Sequence, residues 1–414
     1  MQDIRKGTIT DPAGFRAAGV HCGLKLGNAP DLALLVSERP CTAAAVFTTN
    51  RVKAAPVLYN QALLARNPTA IRAVVTNSGN ANAVTGDQGL DNARRMAELT
   101  AKAAGCEPGQ VWVMSTGVIG QPLDMVKITA GITHAASTLS PDGGHDAARA
   151  IMTTDTVPKE AAVHVRLSAG QVTVAGMAKG AGMIHPNMAT MLAVIATDAA
   201  VSPDLLDQAL RCAVDRSFNC ISVDGDTSTN DTVLLLANGA AGVSVDQLES
   251  DDFRTFRDAL TAVATTLAKK IVRDGEGATK FVTIHVRGAP TAGDARKVAM
   301  AVARSPLVKT ALHGEDANWG RVLAAVGYSG VEVDPARIGL WFAAGGDSEG
   351  SNGQSLQLVR DGQRYHVDEV IAAQILAGED IDIVVDLGLG DGEATVWTCD
   401  LSHEYVSINA DYRT

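Results

Sequence analysis

Apolar residues along this chain fall alternately into short runs and helical stripes. Residues 73–76 (Ala-Val-Val-Thr) and 111–114 (Val-Trp-Val-Met) are compact runs of strand length. Between them Leu90, Ala93, Ala97 and Ala104 recur at helical spacing, and Gly105 follows as a stop. Met125, Ile128, Ile132 and Ala135 mark a second helical face, with Pro122 just ahead as a helix-start residue. Alternation over 163–167 and 172–175 about Ser168-Ala-Gly170 predicts an antiparallel hairpin that runs directly into Lys179. Ser202-Pro203 is placed to cap a helix whose apolar face is Leu205, Leu206, Ala209, Leu210, Ala213 and Val214. Phe253, Phe256, Leu260, Val263, Leu267 and Ile271 form a longer stripe that stops at Asp274-Gly-Glu-Gly277. Runs at 281–286, 381–387 and 394–399 read as strands. The expected fold is mixed α/β, a layered α+β arrangement with at least some antiparallel sheet.

Composition narrows the class. A chain of 414 residues exceeds the usual size of one core, so two or more domains are expected, but no repeat or Pro/Ser-rich linker marks a boundary. Hydrophobic content of 46% with 20% charged residues excludes a disordered chain, and aromatics at 4% leave the core to aliphatic and alanine packing. A net charge of -11 disfavours nucleic acid or an anionic membrane as principal partner, while a local basic pocket stays open. Cys22, Cys41, Cys106, Cys212, Cys220 and Cys399 show no CxxC spacing, so reduced, mostly buried thiols are expected. The N-terminal segment lacks the apolar core of a secretion signal and no stretch approaches the ~20 apolar residues of a membrane span, which makes the cytoplasm the expected location.

The segment Lys179-Gly-Ala-Gly-Met-Ile-His-Pro-Asn-Met-Ala-Thr190-Met-Leu carries the main candidate chemistry. An alcohol is a weak nucleophile until a base takes its proton. Cutting the Ala189-Thr190 bond would supply that base within the same residue, because Thr190 would gain an α-amino group with a reference pKa near ~7.7 to 8.0. Gly180 and Gly182 permit turns on the approach, and Pro186 removes a backbone donor and pushes His185 away from helix. The same pattern also fits a Thr190 that merely opens a buried strand or short helix.

Other segments offer supporting groups. Thr116-Gly117, at the end of the 111–114 run, can present a hydroxyl and a backbone N–H to a developing oxyanion, or make an ordinary strand-to-helix turn. Lys179 can anchor a substrate carboxylate, or sit solvated on the surface. Glu276 can pair with a substrate amine, or be a solvated turn residue. Asn77-Ser-Gly-Asn-Ala-Asn82 and His313-Gly-Glu-Asp-Ala-Asn-Trp-Gly-Arg321 are polar loop segments suited either to sites or to well-bonded turns. Asp224-Gly-Asp-Thr-Ser-Thr-Asn-Asp231 fails as a calcium loop, with Thr229 at its glycine position and Leu235 where the closing glutamate belongs. There is no GxxxxGK[ST], HExxH or G-x-S-x-G motif, and no zinc-type Cys/His spacing.

Taken together with Gly14-Phe-Arg-Ala-Ala-Gly19, Thr153-Thr-Asp-Thr-Val-Pro-Lys159 and the terminal Asn409-Ala-Asp-Tyr-Arg-Thr414, these segments closely resemble the ornithine acetyltransferase family, also called bifunctional glutamate N-acetyltransferase, over essentially the whole chain. The resemblance implies a self-cleaving, N-terminal-nucleophile-like architecture with antiparallel or mixed sheets between helices. It implies cleavage between Ala189 and Thr190 into an α piece (1–189) and a β piece (190–414), assembled as an α2β2 heterotetramer. It also implies Thr190 as nucleophile, Thr116 and Gly117 as oxyanion hole, and Thr156, Lys179, Thr190, Glu276, Asn409 and Thr414 as substrate contacts. The implied reaction is ping-pong acetyl transfer from N2-acetylornithine to glutamate, within arginine biosynthesis, without metal or prosthetic group. Acetyl-CoA as a further acetyl donor is left open. An N-terminal-nucleophile aminopeptidase, passing its acyl group to water, is the alternative enzyme, and a non-catalytic assembly protein is the alternative outside enzymes.

Overall fold

The computed structural model describes residues 1–185, 191–345, 354–365 and 367–410, so Ala189, Thr190 and Thr414 lie outside the described residues. The chain forms two compact units, Met1–Asn219 with Asp226–Ile271, and Cys220–Gly225 with Val272–Thr414.

Nine strands make the main sheet of the first unit. Their order is Gln2–Asp3, Lys159–Leu167, Gly170–Lys179, Leu192–Thr197, Thr232–Ala237, Leu32–Phe47, Ile71–Asn77 and Val111–Ser115, with Phe15–Val20 also paired to Leu32–Phe47. The long strand Leu32–Phe47 serves two halves of this sheet. Its residues 32–36 pair with Phe15–Val20 and Ile71–Asn77, its residues 42–47 pair with Thr232–Ala237, and an exposed Glu38-Arg-Pro40 separates the two. Pro40 has no N–H to give a ladder, which suits it to the break.

The period-two alternation of the strands then assigns each half two covered faces. Ala33, Leu35, Val74, Trp112 and Met114 of one half share a core with Ala43, Ala45, Met177, Leu192, Val194, Leu234 and Leu236 of the other. Phe47 stacks on Trp112 across this seam at 5.9 Å between ring centroids. The intervening residues Leu32, Leu34, Ala73, Val75, Val111 and Val113 meet Ala93, Met96 and Ala97 of helix Gly86–Ala104 and Ile128 and Ile132 of helix Met125–Ser137. Helix Pro203–Asp215 packs along Leu32–Phe47 and Thr232–Ala237, and Leu267 of helix Asp251–Arg273 lies over Gly176, where an added Cβ would come 2.9 Å from the leucine Cδ1. The result is helix, sheet, sheet, helix, the layering that the expected architecture requires.

Local signals performed unevenly. Gly105 closes Gly86–Ala104 in the left-handed conformation at φ 68°, as expected. Pro122 does not start the next helix; Asp124 does, its carboxylate accepting the N–H groups of Val126 at 3.1 Å and Lys127 at 3.2 Å. Ser202 occupies the cap position before Pro203, but its hydroxyl makes no capping bond.

The second unit holds a seven-stranded mixed sheet in the order Ile221–Ser222, Gly392–Cys399, Phe281–Ala289, Asp380–Asp386, Gly339–Ala344, Ser355–Arg360 and Gln363–Arg364. Val282, Ile284, Leu340, Phe342, Ile381, Ile383 and Val396 line its dry face, where the helices Ala292–Arg304, Pro306–His313, Trp319–Gly327 and Glu369–Ala377 contribute side chains. The expected chemical boundary at 189/190 does not separate the two units, because Leu192–Thr197 lies between Gly170–Lys179 and Thr232–Ala237 in one sheet. Among the described residues no helix is long and apolar enough to cross a membrane, and no cluster of His, Cys, Asp and Glu could hold a metal ion.

Candidate active site

The hairpin predicted around Ser168-Ala-Gly170 is present, with Leu167 opposite Gly170, and its second strand ends at Lys179. That strand pairs antiparallel with Leu192–Thr197, which sets Lys179 directly opposite Leu192. The ladder therefore returns the chain to within two residues of position 190 beside the lysine. Gly180 takes φ 155°, a conformation that favours glycine, and Met183 takes φ 60° in the left-handed region, which costs a non-glycine residue roughly 1 to 2 kcal/mol. The strain falls on the methionine and not on either glycine.

Lys179 is not a surface lysine: it is 3% exposed, and its ammonium donates to the Thr116 hydroxyl at 3.3 Å. Thr116 follows strand Val111–Ser115, and its N–H donates to the Asn77 carbonyl at 3.0 Å, so its hydroxyl is the group it offers to the site. Gly117 sits at φ 131°, and a Cβ there would lie 2.3 Å from the Gly79 carbonyl carbon and 2.5 Å from the Asn80 nitrogen. Only glycine fits, and its N–H makes no hydrogen bond to a described residue. Asn77-Ser-Gly-Asn-Ala-Asn82 braces this turn: Ser115 donates to Asn77 Oδ1 at 2.6 Å, Ser78 to the Ala150 carbonyl at 2.6 Å, and Asn80 Nδ2 to the Gln121 and Pro122 carbonyls at 3.2 Å.

Behind Lys179 lies a charge cluster that the sequence reading missed. Asp155 and Lys159 form a 2.6 Å ion pair with both side chains 0% exposed, and Asp155 Oδ1 also accepts the Gly180 N–H at 2.6 Å. Burial works to raise the Asp155 pKa, but the attraction of Lys179 and Lys159 and these hydrogen bonds outweigh it and hold the carboxyl at about 2. Lys25 joins from another loop, its ammonium donating to the Pro30 carbonyl at 2.9 Å, and burial lowers its pKa to about 8 against the pull of Asp31 and Asp155. Three lysines against two carboxylates held ionised, Asp155 and Asp31, leave a surplus of positive charge, suited to a carboxylate ligand. Thr156, next to Asp155, is exposed on the same turn. The signal available in sequence was the spacing of Asp155 and Lys159, but nothing local indicates that both are buried.

In the second unit the structure brings together two further candidates 133 positions apart. Glu276 is 7% exposed, not solvated, and its Oε2 accepts from Asn409 Nδ2 at 2.8 Å. The turn is docked tightly, since a Cβ on Gly277, at φ 67°, would meet the Tyr405 nitrogen at 2.5 Å, and Ser402 donates to the Gly277 carbonyl at 2.6 Å. The segment His313 to Arg321 is a structural turn: His313 pairs with Asp400 at 2.8 Å, Lys280 with Glu315 at 2.8 Å, and Asn318 caps helix Trp319–Gly327.

A family model described as the ArgJ family matches residues 16–414. The chain belongs to the ArgJ family. It is 54% identical over 411 residues to the arginine biosynthesis bifunctional protein ArgJ of Symbiobacterium thermophilum, covering 99% of both chains. It is 51% identical over 403 residues to the protein of the same name from Thermotoga neapolitana, covering 97% of this chain and 99% of that one. Among solved structures it is similar to ornithine acetyltransferase from Mycobacterium tuberculosis complexed with ornithine, with 44% sequence identity, a TM-score of 0.42, and coverage of 45% of this chain and 97% of that chain. Membership in the ArgJ family agrees with the resemblance seen in Thr153 to Lys159 and in the Lys179 segment.

Proposed function

We propose that this ArgJ-family chain is an acetyltransferase of arginine biosynthesis that cuts itself between Ala189 and Thr190 and then moves an acetyl group from N2-acetylornithine to glutamate. The Thr190 hydroxyl adds to the acetyl carbonyl as the new α-amine takes its proton. The C–N bond to ornithine breaks, the amine carries that proton to the leaving nitrogen, and acetyl-Thr190 remains. The glutamate amine then attacks this ester, N-acetylglutamate leaves, and the proton returns to the threonine oxygen. Thr116 and Gly117 supply the oxyanion donors and Lys179 the carboxylate anchor, with Thr156, Glu276, Asn409 and Thr414 as further substrate contacts. No metal or prosthetic group enters, and the two pieces remain together as an α2β2 assembly.

The observation that carries this reading is the buried contact between Lys179 and Thr116, at the strand end that returns directly opposite Leu192. A cation and an oxyanion donor buried side by side, one strand register from residue 190, are what an acyl transfer to an amino acid needs. Intact mass spectrometry tests it. Wild-type protein is expected as two pieces that form N-acetylglutamate only with glutamate present, while Thr190→Ala stays whole and inactive. A wild-type chain that stays whole yet transfers acetyl groups overturns the mechanism, and release of acetate without transfer to glutamate favours the hydrolase.

A further inference from the structure

The second half of the polar run ending at Asp231, whose spacing does not fit a calcium loop, is buried: Ser228, Thr229, Asn230 and Asp231, with Thr232 after them, lie in the interior of the first unit. It is locked there from outside. Thr48 donates through its hydroxyl to the Ser228 carbonyl at 2.7 Å, the Ala54 N–H to the Thr229 carbonyl at 2.9 Å, and the Thr48 N–H to the Asp231 carbonyl at 2.9 Å.

Two adjacent side chains of this run reach in two directions. Asn230 Nδ2 donates to the Ser115 carbonyl at 2.8 Å and to the Ala81 carbonyl at 2.7 Å, while its Oδ1 accepts from Thr229 at 2.6 Å. Asp231, 0% exposed, accepts the Met191 N–H on Oδ1 at 3.1 Å, and Thr232 N–H returns to the Met191 carbonyl at 3.1 Å. By covalent connection the Ser115 carbonyl belongs to the peptide group of Thr116, and the Met191 N–H to the peptide group of residue 190. One dipeptide therefore grips the peptide group that carries the oxyanion hydroxyl and the peptide group that follows the nucleophile. Among the described residues Asp231 Oδ2 is buried without a hydrogen bond of ordinary geometry, although the Thr48 and Ser228 hydroxyls act on the carboxyl, a burial that core packing alone does not reward.

We infer that Asn230 and Asp231 are positioning residues that set the spacing between the nucleophile at 190 and the oxyanion donors at 116 and 117. The inference rests on the acetyl-transfer reading above. The physical need is plain, since a misplacement of about 1 Å costs roughly 100-fold in rate even when every reacting group is present. Because its hydrogen bonds to the Ser115 carbonyl and the Met191 N–H fix backbone groups, this run affects the geometry of attack more than the binding of substrate. Mature Asn230→Ala and Asp231→Ala are accordingly expected to lose roughly 100-fold in kcat, with KM for N2-acetylornithine changed little.

The test compares folded, cleaved wild type with N230A, D231A, D231N and N230A/D231A, using thermal melts, kcat and KM, and the rate of acetyl uptake by the 190–414 piece in intact mass spectra. D231N keeps an oxygen for the Met191 N–H and is expected to recover most of the kcat that D231A loses. The double variant is expected to lose far less than the product of the single losses, because both residues set one distance. The inference is overturned if folded N230A and D231A take up acetyl at the wild-type rate, if KM rises while kcat holds, if the losses multiply, or if D231N recovers nothing. Should D231A fail to fold, N230A and D231N decide by the same measures. Wild type that never acquires an acetyl group would instead sink the nucleophile reading, so the two failures are distinct.

Discussion

Two carboxylates of the first unit, Asp155 and Asp231, are both buried, yet they are held in opposite states. Asp155 meets Lys159 at 2.6 Å and the Gly180 N–H at 2.6 Å with Lys179 nearby, and its pKa is held at about 2. For Asp231 burial dominates and pushes the carboxyl well above the usual carboxylate range, although the Met191 N–H, the Thr48 and Ser228 hydroxyls and Lys179 all pull the other way. Burial alone says nothing about charge; the count of neighbouring cations does. One carboxylate helps hold a positive site together, and the other holds the Met191 N–H.

The strongest way to break this contrast is to remove the charge that makes Asp155 different. Asp155→Asn strands Lys159 in a dry interior and is expected to destabilise the protein by about 3 to 5 kcal/mol, measured by denaturant unfolding. Replacing the pair together, as D155L/K159M, is expected to cost much less than either partner alone, and a double variant as unstable as D155N would refute the account of that corner.

The pH dependence of stability sharpens the comparison because the two signs differ. Asp155, depressed in the folded state, contributes stability that is full above the unfolded carboxylate pKa and lost as pH falls through about 2. That contribution is on the order of 2 kcal/mol, and the acid limb should flatten in D155N. Asp231, raised in the folded state, is most favourable below the ordinary carboxylate pKa and loses stability as pH rises toward its folded value. Unfolding curves of D231N should lack that loss, and a D231N slope identical to wild type counts against it.

The smallest expected effect concerns a third buried carboxylate, Glu276, whose hydrogen-bond partner among the described residues is the neutral Asn409. Glu276→Gln is expected to raise KM for N2-acetylornithine roughly tenfold, the worth of one charge-assisted hydrogen bond, and KM for glutamate much less. Equal increases for both substrates would remove Glu276 from any role with the ornithine ammonium.

Much of the frame was legible in residue order. The strands at 73–76, 111–114, 163–167 and 172–175 and the helices beginning at Gly86 and Pro203 follow from apolar spacing, because a face that must be buried repeats every two or 3.6 residues. The candidates Thr116, Gly117 and Lys179 were also legible, through their setting in glycine-bearing turns at strand ends. The helix start at Asp124 instead of Pro122 shows where local rules compete, since both residues satisfy one.

Residue order alone, then, specified the elements, their types and the short segments able to carry chemistry, because periodicity, caps and glycine turns act over a few residues. Tertiary structure decided which residues within each unit meet and in what charge state. The burial of Asp155 with Lys159, the contact of Lys179 with Thr116, the pairing of Glu276 with Asn409 and the grip of Asn230 and Asp231 join residues from separate strands and loops. The physical reason is that desolvation and Coulomb attraction depend on distance through space, and distance through space is set by the sheet register and not by separation along the chain.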